Sequence, residues 1–159
     1  AQAYMQELEQ RRAEMAARGR VLPGVPAALQ YFQQAPDVHQ SVLTGNMQAV
    51  AELKLTLTDL LAFIDMRTGA YGSDHHQRVE LPGYALARAH QYLTPAMAGR
   101  DLVIVGDTPN DIACGKAHGA RTVAVATGPF SVADLAAHHP DAVLADLSDL
   151  AATVQAIVG

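Results

Sequence analysis

The chain has 159 residues, half of them hydrophobic and 17% charged, which is the composition of an ordinary globular domain with a sizeable core. Its net charge of −5 argues against nucleic acid or an anionic membrane as the main partner, and no apolar run approaches the roughly 20 residues of a membrane span. The single cysteine, Cys114, excludes an internal disulfide and fits a reducing cytosol, so we expect a cytoplasmic protein.

The first residues are predicted to form a charged helix. Residues 1–17 carry a thin apolar stripe, and Gly19 lies near the expected end of the helix. A Pro/Gly turn follows, and Pro26 then stands in the first turn of a short helix. We therefore predict a boundary between two parts of the chain near Arg20–Pro23.

Strands and helices alternate after this boundary. The predicted strands are VHQSVLTGN (38–46), a short edge strand near Ile64–Met66, DLVIVGD (101–107), RTVAVATG (121–128) and DAVLADL (141–147). The predicted helices are MQAVAELKL (47–55), TDLLAFID (58–65), GYALARAHQYL (83–93), NDIACGKAHGA (110–120), SVADLAAHH (131–139) and SDLAATVQAIVG (148–159). Short, valine-rich strands are typical of strands buried on both faces, so we predict an α/β fold with an open parallel sheet.

Polar residues at helix ends support these assignments. Asn46 is predicted to cap the helix that follows it, and Ser131 is predicted to cap its own helix together with Asp134. Gly119 is expected just past the end of the helix before it.

The remaining aromatic residues and histidines are given structural or surface roles. Four aromatic residues at helical spacing are expected in the core: Tyr31, Phe32, Tyr84 and Tyr92. The adjacent pairs His75–His76 and His138–His139 are expected to point apart at the surface, since neighbouring side chains diverge on helices and strands. Cys114 is expected to pack in its helix.

In open parallel sheets, ligands bind beyond the carboxyl ends of the strands. The first such end carries Thr44, Gly45 and Asn46 in "SVLTGN", where a hydroxyl and a backbone N–H adjoin the start of a helix, an arrangement that binds anions. The alternative is an ordinary turn with a helix cap.

The second end carries two aspartates in "VGDTPND". Asp107 and Asp111 lie across one tight turn, where two carboxylates repel unless a cation or proton lies between them. A few hard oxygen ligands suit Mg²⁺, which completes its shell with water and a substrate phosphate. The alternative is that Asp111 only caps the helix and Asp107 is solvated.

The order of these segments resembles the haloacid dehalogenase (HAD) superfamily. A strand ending in Thr-Gly-Asn, a basic residue (Arg78) ahead of a helix and then GDxxxD are similar to the motifs of its phosphohydrolases with a helical cap, such as phosphoglycolate phosphatases. The resemblance covers nearly all of residues 21–159. It implies a three-layer α/β/α HAD-like Rossmannoid core over residues 21–159, with residues 1–20 as the end of a helical cap subdomain.

The resemblance also implies roles for individual residues. Thr44, with Gly45 and Asn46 beside it, would bind the transferring phosphoryl group, and Arg78 stands where relatives usually have lysine, as a cation near the phosphate. Asp107 and Asp111 would bind Mg²⁺ directly and through water. These roles imply a Mg²⁺-dependent hydrolase of a small phosphorylated metabolite, in which Thr44, Arg78 and Asp111 take part in catalysis.

The family's first motif, Asp-x-Asp-Gly-Thr after the first strand, is absent from this sequence. That motif supplies the aspartyl nucleophile, so the chain is expected to be a C-terminal portion that does not complete the reaction alone. In the family's sheet the nucleophile strand lies between the strands that end at Thr44 and Asp107. We therefore predict that these two strands are not hydrogen-bonded to each other and flank a slot lined by valine and leucine.

Two other functions remain to be compared with this one. A non-catalytic module could keep the phosphate and metal pocket after losing its nucleophile. A dinucleotide-dependent oxidoreductase would need a G-x-G-x-x-G turn after its first strand, and no such turn follows any predicted strand. The sequence does not indicate an oligomeric state.

Overall fold

The computed structural model describes residue 10, residues 12–14 and residues 19–159. The helix predicted over residues 1–17 falls mostly outside the described residues, although residues 10 and 12–14 are helical. Within the described ranges, no helix has the length and apolar character needed to cross a membrane.

Strands and helices alternate along the chain, as predicted. The strands are β1 (Leu43–Thr44), β2 (Ala70–Tyr71), β3 (Val103–Gly106), β4 (Arg121–Val125) and β5 (Ala142–Leu144). The helices are α1 (Val25–Gln33), α2 (Gln48–Leu57), α3 (Leu81–Tyr92), α4 (Pro109–Ala117), α5 (Val132–Ala136) and α6 (Leu150–Val158). Short 3₁₀ turns occupy Leu61–Phe63, Met66–Thr68, Arg78–Glu80 and Gly99–Asp101.

The strands form two separate parallel sheets. One contains β1 and β2, and the other has the order β3-β4-β5. Among the described strands, β3 pairs only with β4, so its other edge is unpaired. In the same part of the chain, β1 pairs only with β2. The prediction that the strands ending at Thr44 and Asp107 are not paired with each other is therefore confirmed.

The core lies on both faces of β4. Ala124 packs with Ile112 of α4 and Leu135 of α5 on one face. Val123 and Val125 point the other way and pack with Ala156 of α6, as the alternation of side chains along a strand requires. Helices on both sides of this sheet make the three-layer α/β arrangement that the sequence predicts.

The gap beside β3 leaves valine side chains uncovered. Val103 and Val105 are 37% and 43% exposed, so the prediction that this strand is buried on both faces is wrong. A cavity of about 280 Å³ opens there, and it is largely apolar: Leu22, Pro23, Val25, Val105, Gly106, Asp107, Val125, Thr127 and Leu147 line it. Valine and leucine thus line the cavity on the β3 side, but no β1 residue borders it, so the predicted lining of a slot between the two strands stays a prediction.

The short strand predicted near Ile64–Met66 lies a few residues later, at Ala70–Tyr71. The Asp65 carboxylate accepts a hydrogen bond from the Arg67 N–H, and this side-chain cap starts a 3₁₀ turn where a strand was expected. The strand forms where Tyr71 can be buried, with its hydroxyl donating to the Met66 carbonyl.

Most of the aromatic residues predicted in the core are outside it. Phe32 is buried, but Tyr31, Tyr84 and Tyr92 are exposed. Each lies on a helix that buries only one face, so a residue at helical spacing can still point to solvent. The glycine and serine predictions are confirmed, because Gly119 has a φ of +67° and Ser131 forms a capping box with Asp134.

Candidate active site

Thr44 ends β1 with its side-chain oxygen held by the next turn. Thr44 Oγ1 accepts hydrogen bonds from the Asn46 backbone N–H (3.1 Å) and from Asn46 Nδ2 (3.0 Å). The Thr44 hydroxyl proton has no acceptor within the described part of the chain, so it can be donated to a ligand oxygen. Asn46 does not cap α2 as predicted: the N-cap is Met47, which makes no side-chain bond, because the Asn46 amide is engaged by Thr44.

The loop after β2 closes against this turn. The Gly72 N–H donates to the Asn46 carbonyl at 2.8 Å, and a Cβ at Gly72 would lie 2.0 Å from the Gly45 carbonyl oxygen. Farther along, Asp74 accepts from the Tyr71 N–H and from both terminal nitrogens of Arg88. The Arg88 hydrogen bonds hold the pKa of Asp74 below its ordinary value. These contacts fix the loop that leads to Arg78.

Asp111 is buried and uses both of its carboxylate oxygens. Oδ2 accepts from the Thr108 N–H (3.0 Å) and the Thr108 hydroxyl (2.7 Å), which completes a capping box at the start of α4. Oδ1 accepts from Arg78 Nε (3.0 Å) and Nη2 (2.6 Å). Asp111 therefore does cap α4, as the alternative interpretation of the sequence expected, but its carboxylate also pairs with the Arg78 guanidinium. Arg78 and Asp111 are brought together across the two sheets.

Asp107, by contrast, has a free carboxylate. It directly follows β3, is half-buried on the cavity beside that strand, and makes no side-chain hydrogen bond to any residue that the structure describes. The backbone at Gly128, in the loop after β4, comes so close that a Cβ there would lie 2.4 Å from Asp107 Oδ2. The two Asp107 oxygens, at this corner between β3 and β4, are therefore the candidate ligands for a cation.

The donor set fits Mg²⁺ better than a metal that needs several protein ligands. No group of three or more His, Cys, Asp or Glu side chains converges among the described residues. Mg²⁺ needs only one or two carboxylates and takes its other ligands from water and phosphate. Asp107 would hold the ion directly, and Asp111 is too fully hydrogen-bonded to do so without releasing Arg78 or Thr108.

Several residues around the site escaped the sequence analysis. Thr108 could have been found, because Thr-x-x-Asp before a helix is a capping-box signature. Gly128 and Thr127 carried no local signal, since they approach Asp107 from a different loop. The buried Cys114 packs in α4 as expected, and its Sγ also donates to the Arg78 carbonyl at 3.0 Å. Burial raises the pKa of this thiol.

The predicted divergence of one histidine pair is wrong. The rings of His75 and His76 stack with their centroids 4.6 Å apart, because the loop that carries them is neither helix nor strand. His138 and His139 are exposed.

Known proteins are similar to this chain in sequence and in fold. Residues 80–150 match the HAD-hydrolase-like family model. A HAD family hydrolase from Deinococcus radiodurans with bound phosphate and sodium has a TM-score of 0.72 and 21% identity, covering 96% of this chain and 67% of that one. A predicted phosphoglycolate phosphatase from Haemophilus somnus has a TM-score of 0.68 and 20% identity, covering 86% and 58%.

A haloacid dehalogenase-like family hydrolase from Streptococcus pneumoniae is similar too, with a TM-score of 0.69 and 20% identity, covering 86% of this chain. The chain spans 60% of that protein and 52% of a putative β-phosphoglucomutase from Bacteroides vulgatus. No curated protein sequence matches the chain. Residues 80–150 are thus similar in sequence to HAD-like hydrolases, and the chain shares its fold with solved structures of HAD-like proteins.

Proposed function

We propose that the chain is part of a cytosolic Mg²⁺-dependent phosphatase that hydrolyses a small phosphomonoester. One observation carries the proposal. Thr44 and Asp107 lie at the carboxyl ends of strands in the two separate sheets, and neither the Thr44 hydroxyl proton nor the Asp107 carboxylate has a hydrogen-bond partner among the described residues. The pair of Arg78 and Asp111 connects the segments that follow these two sheets. Phosphoryl transfer needs these parts, namely hydrogen-bond donors, a fixed cation and a metal-binding carboxylate.

The phosphoryl group would be bound from the β1 side. Thr44 donates its hydroxyl proton to one phosphoryl oxygen, and the Gly45 N–H lies beside it, while the Asn46 N–H is engaged by Thr44 Oγ1. Arg78 uses Nε and Nη2 on Asp111, which leaves Nη1 with no hydrogen bond to any described residue. This nitrogen can therefore donate to a second phosphoryl oxygen while the Asp111 pair holds the guanidinium in place.

The metal would be bound from the β3 side. Mg²⁺ held by Asp107 supplies charge neutralisation for the incoming phosphate and for the oxygens that gain charge during transfer. Asp111 takes part indirectly, since it orients Arg78 and the first turn of α4, and it would contact a bound ion only through water.

The nucleophile would be contributed by a strand between β1 and β3, outside this sequence. Its aspartate attacks phosphorus and forms an acyl phosphate while the P–O bond to the substrate alcohol breaks. Water then attacks the phosphorus of the acyl phosphate, which releases inorganic phosphate and restores the carboxylate.

The test is hydrolysis of p-nitrophenyl phosphate by the full-length protein, with Mg²⁺ and with EDTA. We expect Mg²⁺-dependent turnover that Asp111→Asn lowers at least about a hundredfold. Asp134→Asn is the matched control, because Asp134 is also the third residue of a capping box, on α5, but has no arginine partner. Phosphate binding without turnover would support the non-catalytic module, and equal effects of both substitutions would contradict the site.

A further inference from the structure

One face of α4 holds the Arg78 segment at three points. Asp111, Cys114 and His118 are spaced by three and four residues, which places them on the same side of the helix and of the turn that ends it. Asp111 accepts from the Arg78 guanidinium. The other two contact the backbone of the 3₁₀ turn Arg78–Glu80, and the proposed reaction uses neither of them.

The two backbone contacts are hydrogen bonds with a defined direction. Cys114 Sγ donates to the Arg78 carbonyl at 3.0 Å, and His118 Nε2 lies 2.8 Å from the Val79 carbonyl. Because a carbonyl oxygen only accepts, His118 carries its proton on Nε2. The His118 ring also lies against Gly83, where a Cβ would be 3.3 Å from Cε1. Two consecutive carbonyls are therefore tied to α4.

These ties matter because arginine has a long, flexible side chain. Its guanidinium reaches Asp111 with good geometry only if its own backbone stays at a fixed distance from α4. The loop before the turn is held at Gly72 and Asp74, but His76 and Gln77, directly before Arg78, are exposed and lie outside those contacts. The restraint comes instead from the helix that carries Asp111, so both ends of the ion pair move together.

We propose that Cys114 and His118 are positioning residues that hold the Arg78 turn on α4 and so keep Nη1 of Arg78 free for phosphate. The phosphate part rests on the proposed function, whereas the Arg78–Asp111 pairing does not. Simple packing would need only the volume of the two side chains. Positioning needs the hydrogen-bond donors, Cys114 Sγ–H and His118 Nε2–H. Substitutions that keep the size of the side chain, with or without a donor, therefore distinguish positioning from packing.

The experiment uses the full-length protein and two readouts. The first is the exchange rate of the Arg78 Nε–H in ¹H–¹⁵N spectra, with the signal assigned by its loss in Arg78→Lys. The second is the affinity for inorganic phosphate in the presence of Mg²⁺, measured by calorimetry. Cys114→Ser and His118→Gln keep a donor, while Cys114→Ala and His118→Leu remove it.

We expect the donor-keeping variants to stay within about twofold of the wild type in both readouts. The donor-removing variants should accelerate Nε–H exchange at least about tenfold and weaken phosphate binding at least about fivefold, with the larger effects in the double variant. Unchanged exchange in Cys114→Ala and His118→Leu would overturn the positioning role, as would equal effects of Cys114→Ser and Cys114→Ala. If exchange responds as expected but the wild type binds no phosphate, the proposed function fails and the positioning role stands.

Discussion

Arg78 donates two hydrogen bonds to a single carboxylate oxygen of Asp111, at 3.0 Å from Nε and 2.6 Å from Nη2. The other oxygen of Asp111 is occupied by Thr108. The two aspartates of the GDTPND segment are therefore in different environments. Asp111 is buried and fully paired, whereas Asp107 is half-buried and its oxygens have no hydrogen-bond partner among the described residues. We infer that Asp111 organises the site and that Asp107 faces the ligand.

Removing the Arg78 guanidinium should therefore affect both stability and rate. Arg78→Ala leaves the 5% exposed Asp111 without its cation, so we expect the free energy of unfolding to fall by about 1–3 kcal/mol. In the full-length protein the rate on a phosphomonoester should fall at least about a hundredfold, with partial recovery in Arg78→Lys, which keeps the charge but loses the two-point contact. Chemical denaturation and steady-state kinetics measure the two effects.

An unchanged rate in Arg78→Ala would mean that another cation fills the role. Two candidate cations are already engaged, since Arg88 pairs with Asp74 and Lys116 donates to the His138 carbonyl. The control is Arg100→Ala, which removes an exposed arginine outside the site.

Asp107 should be required for activity and dispensable for folding. Its side chain makes no hydrogen bond to any described residue, so Asp107→Ala should change the free energy of unfolding by less than about 1 kcal/mol. The same substitution should abolish Mg²⁺-dependent phosphatase activity, because it removes the carboxylate assigned to the ion. Full activity in Asp107→Ala would contradict the metal assignment, whereas a large loss of stability would show that Asp107 also has a structural role.

The residues of the candidate site carry local signals in the sequence, whereas the packing around them does not. Thr44 and Asp107 stand at the carboxyl ends of strands and ahead of helices, and Asp111 lies in the first turn of α4. The pairing of Arg78 with Asp111 joins residues 33 apart and depends on how two sheets are placed, which no local pattern encodes. The exposure of Val105 was mispredicted for a similar reason, because burial depends on the neighbouring strand and not on the residue itself.

We expect glycine to be required at position 128 for Mg²⁺ binding, because a larger residue would displace the Asp107 carboxylate. The backbone conformation of Gly128 does not itself require glycine. Its φ lies outside the left-handed region, so alanine fits the backbone, but the added Cβ would lie 2.4 Å from Asp107 Oδ2. We expect Gly128→Ala to turn the carboxylate away and to raise the Mg²⁺ concentration for half-maximal activity about tenfold or more, with partial recovery at high Mg²⁺.

The control for Gly128 is Gly83→Ala on α3. An added Cβ there meets only the His118 ring, at 3.3 Å, and alanine also favours the helix. Its Mg²⁺ dependence should match the wild type. An unaltered Mg²⁺ dependence in Gly128→Ala would show that the Asp107 carboxylate does not bind the ion in this orientation.

Asp65 should make the fold sensitive to acid. The hydrogen bonds from Arg67, with His39 also nearby, lower its pKa to about 2, compared with about 3.9 in an unfolded chain. A pKa that is lower in the folded state favours folding above about pH 4, and this contribution is lost as the pH falls towards 2. Asp65→Asn should therefore lower the melting temperature at pH 7 and flatten its decline between pH 5 and 2.

The control for Asp65 is Asp37→Asn. Asp37 is exposed and makes no side-chain hydrogen bond within the part of the chain that the structure describes. Its melting profile should follow the wild type across the same pH range. If Asp65→Asn does so as well, the ion pair with Arg67 contributes nothing to stability in solution.

The gap beside β3 gives the last prediction. If a strand fills it in the full-length protein, Val105 is buried there although it is 43% exposed here, and an arginine at this position becomes costly. We expect Val105→Arg to lower the free energy of unfolding by at least about 2 kcal/mol. Val132 on the short helix α5 has nearly the same exposure, 44%, but does not line the cavity at β3, so Val132→Arg should stay within about 0.5 kcal/mol. Equal, small effects of the two substitutions would show that nothing covers β3, and the nucleophile strand would then have to be sought elsewhere.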